Sequence, residues 1–346
     1  MQAAILYGKE DVRLEEVGVS PPLQGEVRVQ VKAALTCGTD VKVYRRGFHA
    51  RMIQPPALFG HEFSGVVEAV GPGAAGFRVG QRVTAANSAP CGGCYYCRKR
   101  LPEQCRDLLF LNGAYAEAIT IPERIVSANL LSLPDSLSFE AGALMEPLAC
   151  VVHGLDAMPV HSGETVAIVG LGPIGLMFVR LCALAGARTL AVGRHQSRLN
   201  LAVELGAEQA LDEQRISDPI SSLRALTEEG EGADKVIEAV GTPAAWEMCI
   251  SMARRGGTVS LFGGCASGTS ITLNTHRIHY DEIKLIGAFH HTPSSIRKAL
   301  SLLDSGVIPA HLFIQKRIPL SELPSTLSSL ASGSLDVIKV AVDPEA

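Results

Sequence analysis

Hydrophobic and polar residues follow two different patterns along the chain. Up to about residue 146, short valine-rich segments alternate apolar with polar positions, and glycine or proline separates them. This pattern is typical of β-strands, which we expect at residues 3–7, 26–34, 62–70 and 82–86. Short strands of this kind predict a compact β-rich domain, built as an open or partly closed barrel.

From about residue 147 the strands become apolar throughout and alternate with helices. We expect strands at 165–170, 189–193, 233–240, 258–262 and 283–288, and helices at 173–187 and 197–206. Such alternation predicts a parallel sheet that is covered by helices on both faces.

The last part of the chain changes pattern again, with helices expected at 293–304 and 320–331 and a strand at 336–342. We interpret this segment as the return of the chain to the first domain. The predicted domains are therefore 1–146 together with 289–346, and 147–288.

The composition is that of a globular protein large enough for two domains. The chain has 346 residues, of which 47% are hydrophobic and 19% charged, and its net charge is −4. Because lysine and arginine are scattered, we expect no nucleic-acid partner and no binding to a membrane. The apolar run at 165–193 contains Arg180 and Arg188, so it predicts no membrane span. The first residues lack the features of an export signal, and we expect a cytoplasmic location.

Four of the nine cysteines lie close together, at Cys91, Cys94, Cys97 and Cys105. Their short spacings let the sulfurs converge on one ion, which predicts a closed, structural Cys₄ zinc site with no open position for chemistry. Two disulfides are an alternative that the cytosolic character of the chain disfavours. A nucleic-acid-binding zinc ribbon is a second alternative. It is disfavoured because the same chain carries a cofactor motif and another candidate metal site.

A glycine-rich turn follows the first apolar strand of the second domain. It has the form G-x-G-x-x-G, with Gly170, Gly172 and Gly175 as the glycines and Pro173 and Ile174 between the last two. A strand before this motif and a helix after it are the context of a dinucleotide site, in which the helix N-terminus faces a pyrophosphate. Pro173 suits the first turn of that helix because its missing N–H is not needed there. An ordinary glycine-rich turn is the simpler alternative.

The end of the next strand bears on the choice between the two nicotinamide cofactors. An Asp or Glu about 20 residues after the motif would hold the ribose hydroxyls of NAD, but the sequence there is Gly193-Arg194-His195-Gln196-Ser197-Arg198. Gly193 leaves room, and Arg194 and Arg198 could bind a 2′-phosphate. We therefore expect NADP to be preferred, with NAD possible. Solvated arginines at a helix start are the alternative.

A second group of metal-type residues lies in the first domain. Cys37 and His61 offer a thiolate and an imidazole, and Glu62 adds a carboxylate. This donor set suits a catalytic zinc that keeps one position open. Glu146, at the join between the domains, offers a further carboxylate.

With these motifs in this order, the chain resembles the zinc-dependent medium-chain alcohol and polyol dehydrogenases over essentially its whole length. The motifs that carry the resemblance are Cys37-Gly38-Thr39-Asp40, Gly60-His61-Glu62-Phe63-Ser64-Gly65, the four-cysteine loop, Glu146-Pro147-Leu148-Ala149 and the glycine-rich turn. Glu146 in its Glu-Pro-Leu context is similar to the sorbitol and threonine dehydrogenase branch. The resemblance implies an α/β protein, with a β-rich GroES-like catalytic domain and a Rossmann doubly wound cofactor domain.

The resemblance also implies roles for individual residues of the catalytic domain. Cys37 and His61 would bind the catalytic zinc, with Glu62 and Glu146 as further ligands, one direct and the other through water or in exchange. Asp40 would accept the His61 ring N–H. Thr39 would hydrogen-bond the substrate oxygen and begin a proton path. Zinc would number two per chain, one catalytic and one structural.

Further residues enter as candidates on the same resemblance. Lys42 stands where the branch often has a histidine of the proton relay, and His290 and His291 lie on a stretch that lines the substrate pocket. Surface histidines before Pro293 are the alternative. Val240 and Gly241 would contact the cofactor, and Lys339 matches a basic residue near its pyrophosphate, although a solubilising lysine fits equally well.

The expected function is hydride transfer between a secondary hydroxyl of a polyol, sugar or related small polar alcohol and NADP or NAD. Oxidation of an amino alcohol such as L-threonine is an alternative. A non-catalytic, zinc-stabilised NADP(H)-binding sensor is an alternative of another class, which the intact metal-type set disfavours. The expected partners are a small alcohol or ketone and further copies of the chain, as a homodimer or homotetramer.

Overall fold

The computed structural model describes residues 1–49, 51–74 and 76–346. The chain forms two compact units, one of Met1–Ala149 with His291–Ala346 and one of Cys150–His290. No helix in the described part of the chain has both the length and the apolar character needed to cross a membrane.

The strands, in chain order, are β1 (Gln2–Gly8), β2 (Asp11–Glu16), β3 (Val27–Leu35), β4 (Ala57–Leu58), β5 (Glu62–Val70), β6 (Arg82–Ala85), β7 (Ser88–Ala89), β8 (Leu109–Phe110), β9 (Ala118–Ile121), β10 (Leu130–Ser132), β11 (Thr165–Val169), β12 (Arg188–Gly193), β13 (Gln209–Asp212), β14 (Ala233–Glu238), β15 (Ala253–Leu261), β16 (Lys284–Gly287), β17 (Ile314–Pro319) and β18 (Lys339–Asp343).

The α-helices are α1 (Gly38–Arg46), α2 (Tyr95–Arg98), α3 (Glu123–Asn129), α4 (Phe139–Ala143), α5 (Met145–Ala157), α6 (Pro173–Leu184), α7 (Gln196–Glu204), α8 (Pro219–Arg224), α9 (Pro243–Met252), α10 (Thr275–His279), α11 (Pro293–Asp304), α12 (Ala310–Phe313) and α13 (Leu323–Ser332). Short 3₁₀ helices occur at Pro102–Gln104, Glu228–Gly230 and Leu320–Glu322.

The first unit is built around a seven-stranded sheet in the order β10-β6-β5-β3-β18-β17, with β9 also paired to β3. β3 and β5 form its antiparallel centre, in a register that sets Leu35 opposite Glu62. β18 joins the other side of β3 and brings the C-terminal segment into this sheet. Alternate residues of β3, such as Val27, Val29 and Val31, are fully buried in the unit's core. The ends of β3, β5 and β18 therefore converge where the metal-type residues lie.

Helix α1 begins directly after β3 because Cys37 and Asp40 cap it. The Cys37 side chain accepts the Thr39 backbone N–H at 3.4 Å, and the Asp40 carboxylate accepts the Cys37 backbone N–H at 3.0 Å. This reciprocal arrangement is a capping box with a thiol in place of the usual hydroxyl. Gly47 ends the helix in the left-handed conformation. The capping fixes Cys37 at the N-terminal end of a helix, where a negatively charged ligand is favoured.

The second unit contains one six-stranded parallel sheet in the order β13-β12-β11-β14-β15-β16. Counted within the unit, this order is 3-2-1-4-5-6, which places a crevice at the carboxyl ends of the central strands β11 and β14. Strand β11 is almost completely buried, as expected for a parallel sheet covered on both faces. The predicted α/β fold class is confirmed: a β-rich unit accompanies a doubly wound parallel sheet.

Candidate functional site

The side chains of Cys37, His61 and Glu62 come together in the first unit. Their ligand atoms all lie within 4.8 Å of one another, although the residues come from the start of α1 and the start of β5. His61 and Glu62 are buried, at 5% and 0% exposure, and Cys37 is half-buried. Glu62 Oε1 is buried with no hydrogen-bond partner among the described residues. A thiolate, an imidazole and an unsatisfied carboxylate oxygen form a donor set that fits zinc.

Asp40 lies behind His61, with its Oδ1 at 3.1 Å from His61 Nδ1. Burial alone would favour the neutral imidazole, but the Asp40 charge and hydrogen bond raise the pKa of His61 well above its usual value. Burial likewise opposes ionisation of Asp40, yet His61, Tyr115 and the Cys37 N–H together lower the pKa of its carboxyl. An ionised Asp40 accepts the Nδ1 proton and leaves Nε2 as the ring atom for a metal.

Lys339 is the partner of Glu62. Its Nζ donates to Glu62 Oε2 at 2.5 Å and to the Thr36 carbonyl oxygen at 2.9 Å, and both charged side chains are 0% exposed. Burial opposes the charge of Lys339, but Glu62 offsets it, so that the pKa of the lysine lies above its ordinary value. Lys339 therefore forms an ion pair with Glu62, one of the three side chains that could hold the metal. Its expected role at the cofactor pyrophosphate stays a prediction.

The other predicted residues of the catalytic domain lie in different surroundings. Thr39 is half-buried and Lys42 is exposed, both on α1. Glu146 is buried in the first turn of α5, with Oε1 at 3.8 Å from His291 Nε2, and that nitrogen also lies 3.1 Å from Asn87 Oδ1. His291 is thus a buried residue of the first unit. Its role as a substrate contact stays a prediction, and so does the direct ligation of zinc by Glu146.

His290, at the end of the second unit, is half-buried and has a positive φ of 63°. Its ring stacks on Phe289 with the ring centroids 5.5 Å apart. Its expected substrate contact also stays a prediction.

Cys91, Cys94, Cys97 and Cys105 form a second group whose sulfurs all lie within 4.8 Å of one another. Cys94 Sγ is 3.6 Å from Cys97 Sγ and 3.8 Å from Cys105 Sγ, and all four cysteines are free thiols. A disulfide would need about 2.05 Å. Tetrahedral zinc with bonds of about 2.3 Å separates its sulfur ligands by about 3.8 Å. The spacing fits a Cys₄ zinc site.

The thiols of this cluster have opposite tendencies to ionise. Backbone N–H groups of Cys97 and Arg106 lower the pKa of Cys94 to about 6. Burial and the neighbouring thiols raise the pKa of Cys97 to about 12. One thiolate forms readily, whereas four close thiolates require a cation between them.

The glycine-rich turn of the second unit lines a cavity of about 790 Å³. A Cβ added to Gly175 would lie 1.8 Å from the Gly170 carbonyl oxygen, so only glycine allows α6 to pack this closely on the turn after β11. Pro173 is the first residue of α6, as predicted from its missing N–H. Gly170, Gly172 and Val240 line the cavity, and Ile174 is half-buried in the first turn of α6.

At another part of the same cavity lie Gly193, Arg194, Arg198 and Glu213. The Arg194 Nε–H donates to a Glu213 carboxylate oxygen, with Arg194 63% exposed and Glu213 18% exposed. Glu213 follows β13, the strand beside β12, so its proximity to Arg194 arises from the sheet order. A 2′-phosphate bound by Arg194 would have to compete with this carboxylate.

Glu238, at the end of β14, fixes the loop that contains Val240 and Gly241. Its carboxylate accepts the backbone N–H groups of Val240 and Gly241, both at 2.7 Å, and that of Gly263 at 3.1 Å. Burial raises the pKa of Glu238, although the three N–H groups oppose this shift. The side chain holds the loop beside the cavity and was not singled out in the sequence.

Sequence reasoning also missed Tyr115 and Asn87 and the pairing of Lys339 with Glu62. No local signal marks Tyr115, which lies among small residues in Asn112-Gly113-Ala114-Tyr115-Ala116. A buried lysine at the start of a strand is the signal that could have suggested a charged partner for Lys339.

One chain that combines a β-rich unit with two zinc-type donor sets and a unit with a doubly wound sheet and a glycine-rich dinucleotide turn defines the class of zinc-binding, nucleotide-dependent oxidoreductases. Comparison with known proteins agrees with this class. The alcohol dehydrogenase GroES-like domain model matches residues 23–135, and the zinc-binding dehydrogenase model matches residues 173–305. The chain belongs to the zinc-dependent medium-chain alcohol and polyol dehydrogenase family, which confirms the resemblance inferred from the motifs.

Individual relatives align over nearly the whole chain. L-threonine 3-dehydrogenase of Bacillus subtilis (strain 168) is 33% identical, with 92% of each chain covered. Sorbitol dehydrogenase of the same strain is 29% identical over 99% of this chain and 97% of its own. A crystal structure from Sinorhizobium meliloti 1021, assigned to the zinc-binding dehydrogenases and bound to NADP, superposes with a TM-score of 0.90, 30% identity and 99% of each chain covered.

Proposed function

We propose that the protein transfers a hydride between a secondary hydroxyl of a polyol, sugar or related small polar alcohol and NADP, with NAD as a possible substitute. The observation that carries the proposal is the convergence of Cys37, His61 and Glu62 within 4.8 Å, with one buried carboxylate oxygen left unsatisfied. Residues with only a structural role normally have their buried polar atoms hydrogen-bonded, whereas here Glu62 Oε1 has no hydrogen-bond partner among the described residues.

Cys37, His61, Glu62 and their neighbours would have different roles at a catalytic zinc. Zinc bound there would act as a Lewis acid that lowers the pKa of the substrate hydroxyl. Cys37 and His61 would hold the ion, and Asp40 would keep the His61 ring in the required tautomer. Glu62 and Glu146 would supply the further ligands, one of them direct.

Thr39 would accept a hydrogen bond from the substrate hydroxyl and, as it receives that proton, would pass on the proton of its own hydroxyl, since it shares the first turn of α1 with the ligand Cys37. Lys42, one turn further along the exposed side of α1, would release a proton from its ammonium group to solvent and receive the relayed proton in its place. His290 and His291 are the candidates for contacts with the remaining hydroxyls of a polyol.

The cofactor would bind in the cavity of the second unit and accept the hydride at its nicotinamide. The backbone at Gly170 and Gly172 and the N-terminal end of α6 would face the pyrophosphate. Arg194 and Arg198 would bind the 2′-phosphate of NADP. Binding of NADP by the S. meliloti relative supports this choice, whereas the Glu213 carboxylate beside Arg194 opposes it.

A second candidate substrate is L-threonine, oxidised at its β-hydroxyl. The observation that favours it is the 33% identity to L-threonine 3-dehydrogenase, against 29% to sorbitol dehydrogenase. We also propose a cytoplasmic homodimer or homotetramer. Light scattering of the purified protein would distinguish both from a monomer.

The experiment that tests the proposal compares rates with NADP⁺ and NAD⁺ against polyols, sugars, L-threonine and simple alcohols, with reduced nicotinamide as the readout. We expect turnover of a polyol or sugar, faster with NADP⁺ and lost after treatment with a zinc chelator. Turnover of L-threonine alone would favour the second candidate, and turnover with NAD⁺ alone would remove the NADP preference. Zinc-loaded protein inactive on the whole panel would favour a non-catalytic cofactor-binding protein.

A further inference from the structure

Tyr115 packs against Gly60, the residue that directly precedes His61. It is one of the largest fully buried side chains of the protein. The Tyr115 backbone N–H donates to the Phe59 carbonyl oxygen at 3.0 Å, and the Ala114 N–H donates to that of Gly60 at 3.1 Å. These bonds fix the segment before β9 against the two residues that precede His61.

The tyrosine ring packs against the backbone of the same turn. Gly60 has a φ of +86°, and a Cβ built on it would lie 2.6 Å from the Tyr115 ring. Glycine is therefore required at this position both by the backbone conformation and by the ring. The ring also meets Phe59 edge to face, with ring centroids 5.7 Å apart.

The hydroxyl of Tyr115 reaches the carboxylate behind His61. It lies 2.5 Å from Asp40 Oδ2 and 3.1 Å from the Leu35 carbonyl oxygen. A hydroxyl has one proton, and the shorter contact to the charged acceptor receives it. Burial and the charge of Asp40 raise the pKa of Tyr115 well above its usual value, so that the hydroxyl stays a donor.

Asp40 therefore has three partners around one buried carboxylate. Oδ2 accepts the Tyr115 hydroxyl and the Cys37 backbone N–H, and Oδ1 contacts His61 Nδ1. Without the tyrosine hydroxyl, Oδ2 would retain one donor, and the carboxylate plane would no longer be held from both sides.

We propose that Tyr115 is a positioning residue of the metal centre, which holds Asp40 in the orientation that presents the His61 ring to the ion. The inference rests on the proposed zinc site at Cys37 and His61. It differs from a purely structural role, in which only the ring would matter, because it assigns the effect to the hydroxyl acting through Asp40.

Tyr115→Phe removes the hydroxyl and keeps the ring. We expect zinc affinity of the catalytic site, measured by competition with a chelator, to fall about tenfold or more, as for other residues that orient a metal-ligating histidine. The absorption bands of the Co²⁺-substituted site should shift as well. Tyr44→Phe is the matched control, because Tyr44 is also buried in the first unit but is not a partner of Asp40, and its affinity should stay within twofold of wild type.

A second experiment, in an Asp40→Asn background, distinguishes a positioning role of the Tyr115 hydroxyl from a purely structural role of the tyrosine. If the hydroxyl acts through the Asp40 carboxylate, adding Tyr115→Phe to Asp40→Asn should change zinc affinity less than twofold further. Unchanged zinc affinity and Co²⁺ bands in Tyr115→Phe, or an equal loss in both backgrounds, would overturn the inference. Wild-type protein that binds an ion only at the four-cysteine site would overturn the proposed function and the inference with it.

Discussion

Removal of Lys339 should leave an uncompensated charge in the interior of the first unit. Its Nζ lies 2.5 Å from Glu62 Oε2, and solvent reaches neither side chain. Because both groups are fully buried, no solvent screening reduces the effect. Loss of one partner of a buried ion pair costs about 3–5 kcal/mol of unfolding free energy, and we expect this loss for Lys339→Met.

The magnitude depends on the charge that remains, which a double-mutant cycle measures. In a Glu62→Gln background Lys339 is a buried charge that has lost its partner, so Lys339→Met removes an unfavourable charge and the added loss should be about 1 kcal/mol or less. The cost that remains is the 2.9 Å hydrogen bond that Lys339 donates to the Thr36 carbonyl oxygen. The interaction energy between the two positions should therefore be about 2 kcal/mol or more.

The assay is urea unfolding in the presence of a zinc chelator, so that no metal ion compensates the Glu62 charge. Unfolding is followed by circular dichroism because the single tryptophan, Trp246, lies in the second unit. Lys316→Met, an exposed lysine on neighbouring β17, is the matched control and should change stability by less than about 0.5 kcal/mol. A loss below about 1 kcal/mol for Lys339→Met would refute the reasoning. Additive effects of the two substitutions would refute it too.

Three further predictions follow from the other sites. Cys97→Ser should open the Cys₄ site and lower Tm by more than about 4 °C. Cys265→Ser, outside the cluster, is the control and should leave Tm close to that of the wild type. Equal melting curves for the two variants would count against a structural zinc. Cys37→Ala should abolish turnover while a cooperative melting transition is retained, with Tm a few degrees lower because the Cys37 side chain no longer caps α1. Near-normal rates would exclude the proposed catalytic zinc. Arg194→Ala should raise KM for NADP⁺ about tenfold more than for NAD⁺, in keeping with a charged hydrogen bond, and Glu213→Gln should lower KM for NADP⁺. Equal effects of either change on the two cofactors would remove the case for a phosphate-binding arginine.

Elements with a strong local pattern were predicted well from the sequence. β5 (Glu62–Val70) and α11 (Pro293–Asp304) have the bounds expected. The first is a valine-rich run that ends at the turn-type residues Gly71-Pro72-Gly73. The second has proline in its first turn and a capping Thr292, whose side chain accepts the Ser295 N–H. Both signals lie within a few residues of the element they define.

Helix α1 was not predicted, although it carries a proposed zinc ligand. Its capping residue is Cys37, which seldom occupies that position, so the usual signal of Ser, Thr, Asp or Asn was missing. The segment up to 146 was expected to be β-rich, but in its described residues α1, α2 and α3 lie between strands and α4 follows the last of them. Residues selected for a site can thus obscure the local signal of the element that holds them.

Contacts between residues that lie far apart in the sequence could not be predicted from local sequence patterns. Tyr115 is 75 residues from Asp40, and Lys339 is 277 residues from Glu62. The metal-type residues themselves could be named because thiolate, imidazole and carboxylate are rare enough in combination to suggest a ligand set. Their supporting residues are ordinary amino acids. The order of β5, β3 and β18 in the sheet brings Lys339 to Glu62, and backbone hydrogen bonds to Phe59 and Gly60 hold Tyr115 beside this group.

The most direct test of the central claim is the number of zinc ions per chain, counted by native mass spectrometry in wild type and in Cys37→Ala. The account predicts two ions in the wild type, one at the four cysteines and one at Cys37, His61 and Glu62. It predicts a single ion in the variant. One ion in both proteins, or two in both, would contradict the assignment of a catalytic zinc to this group.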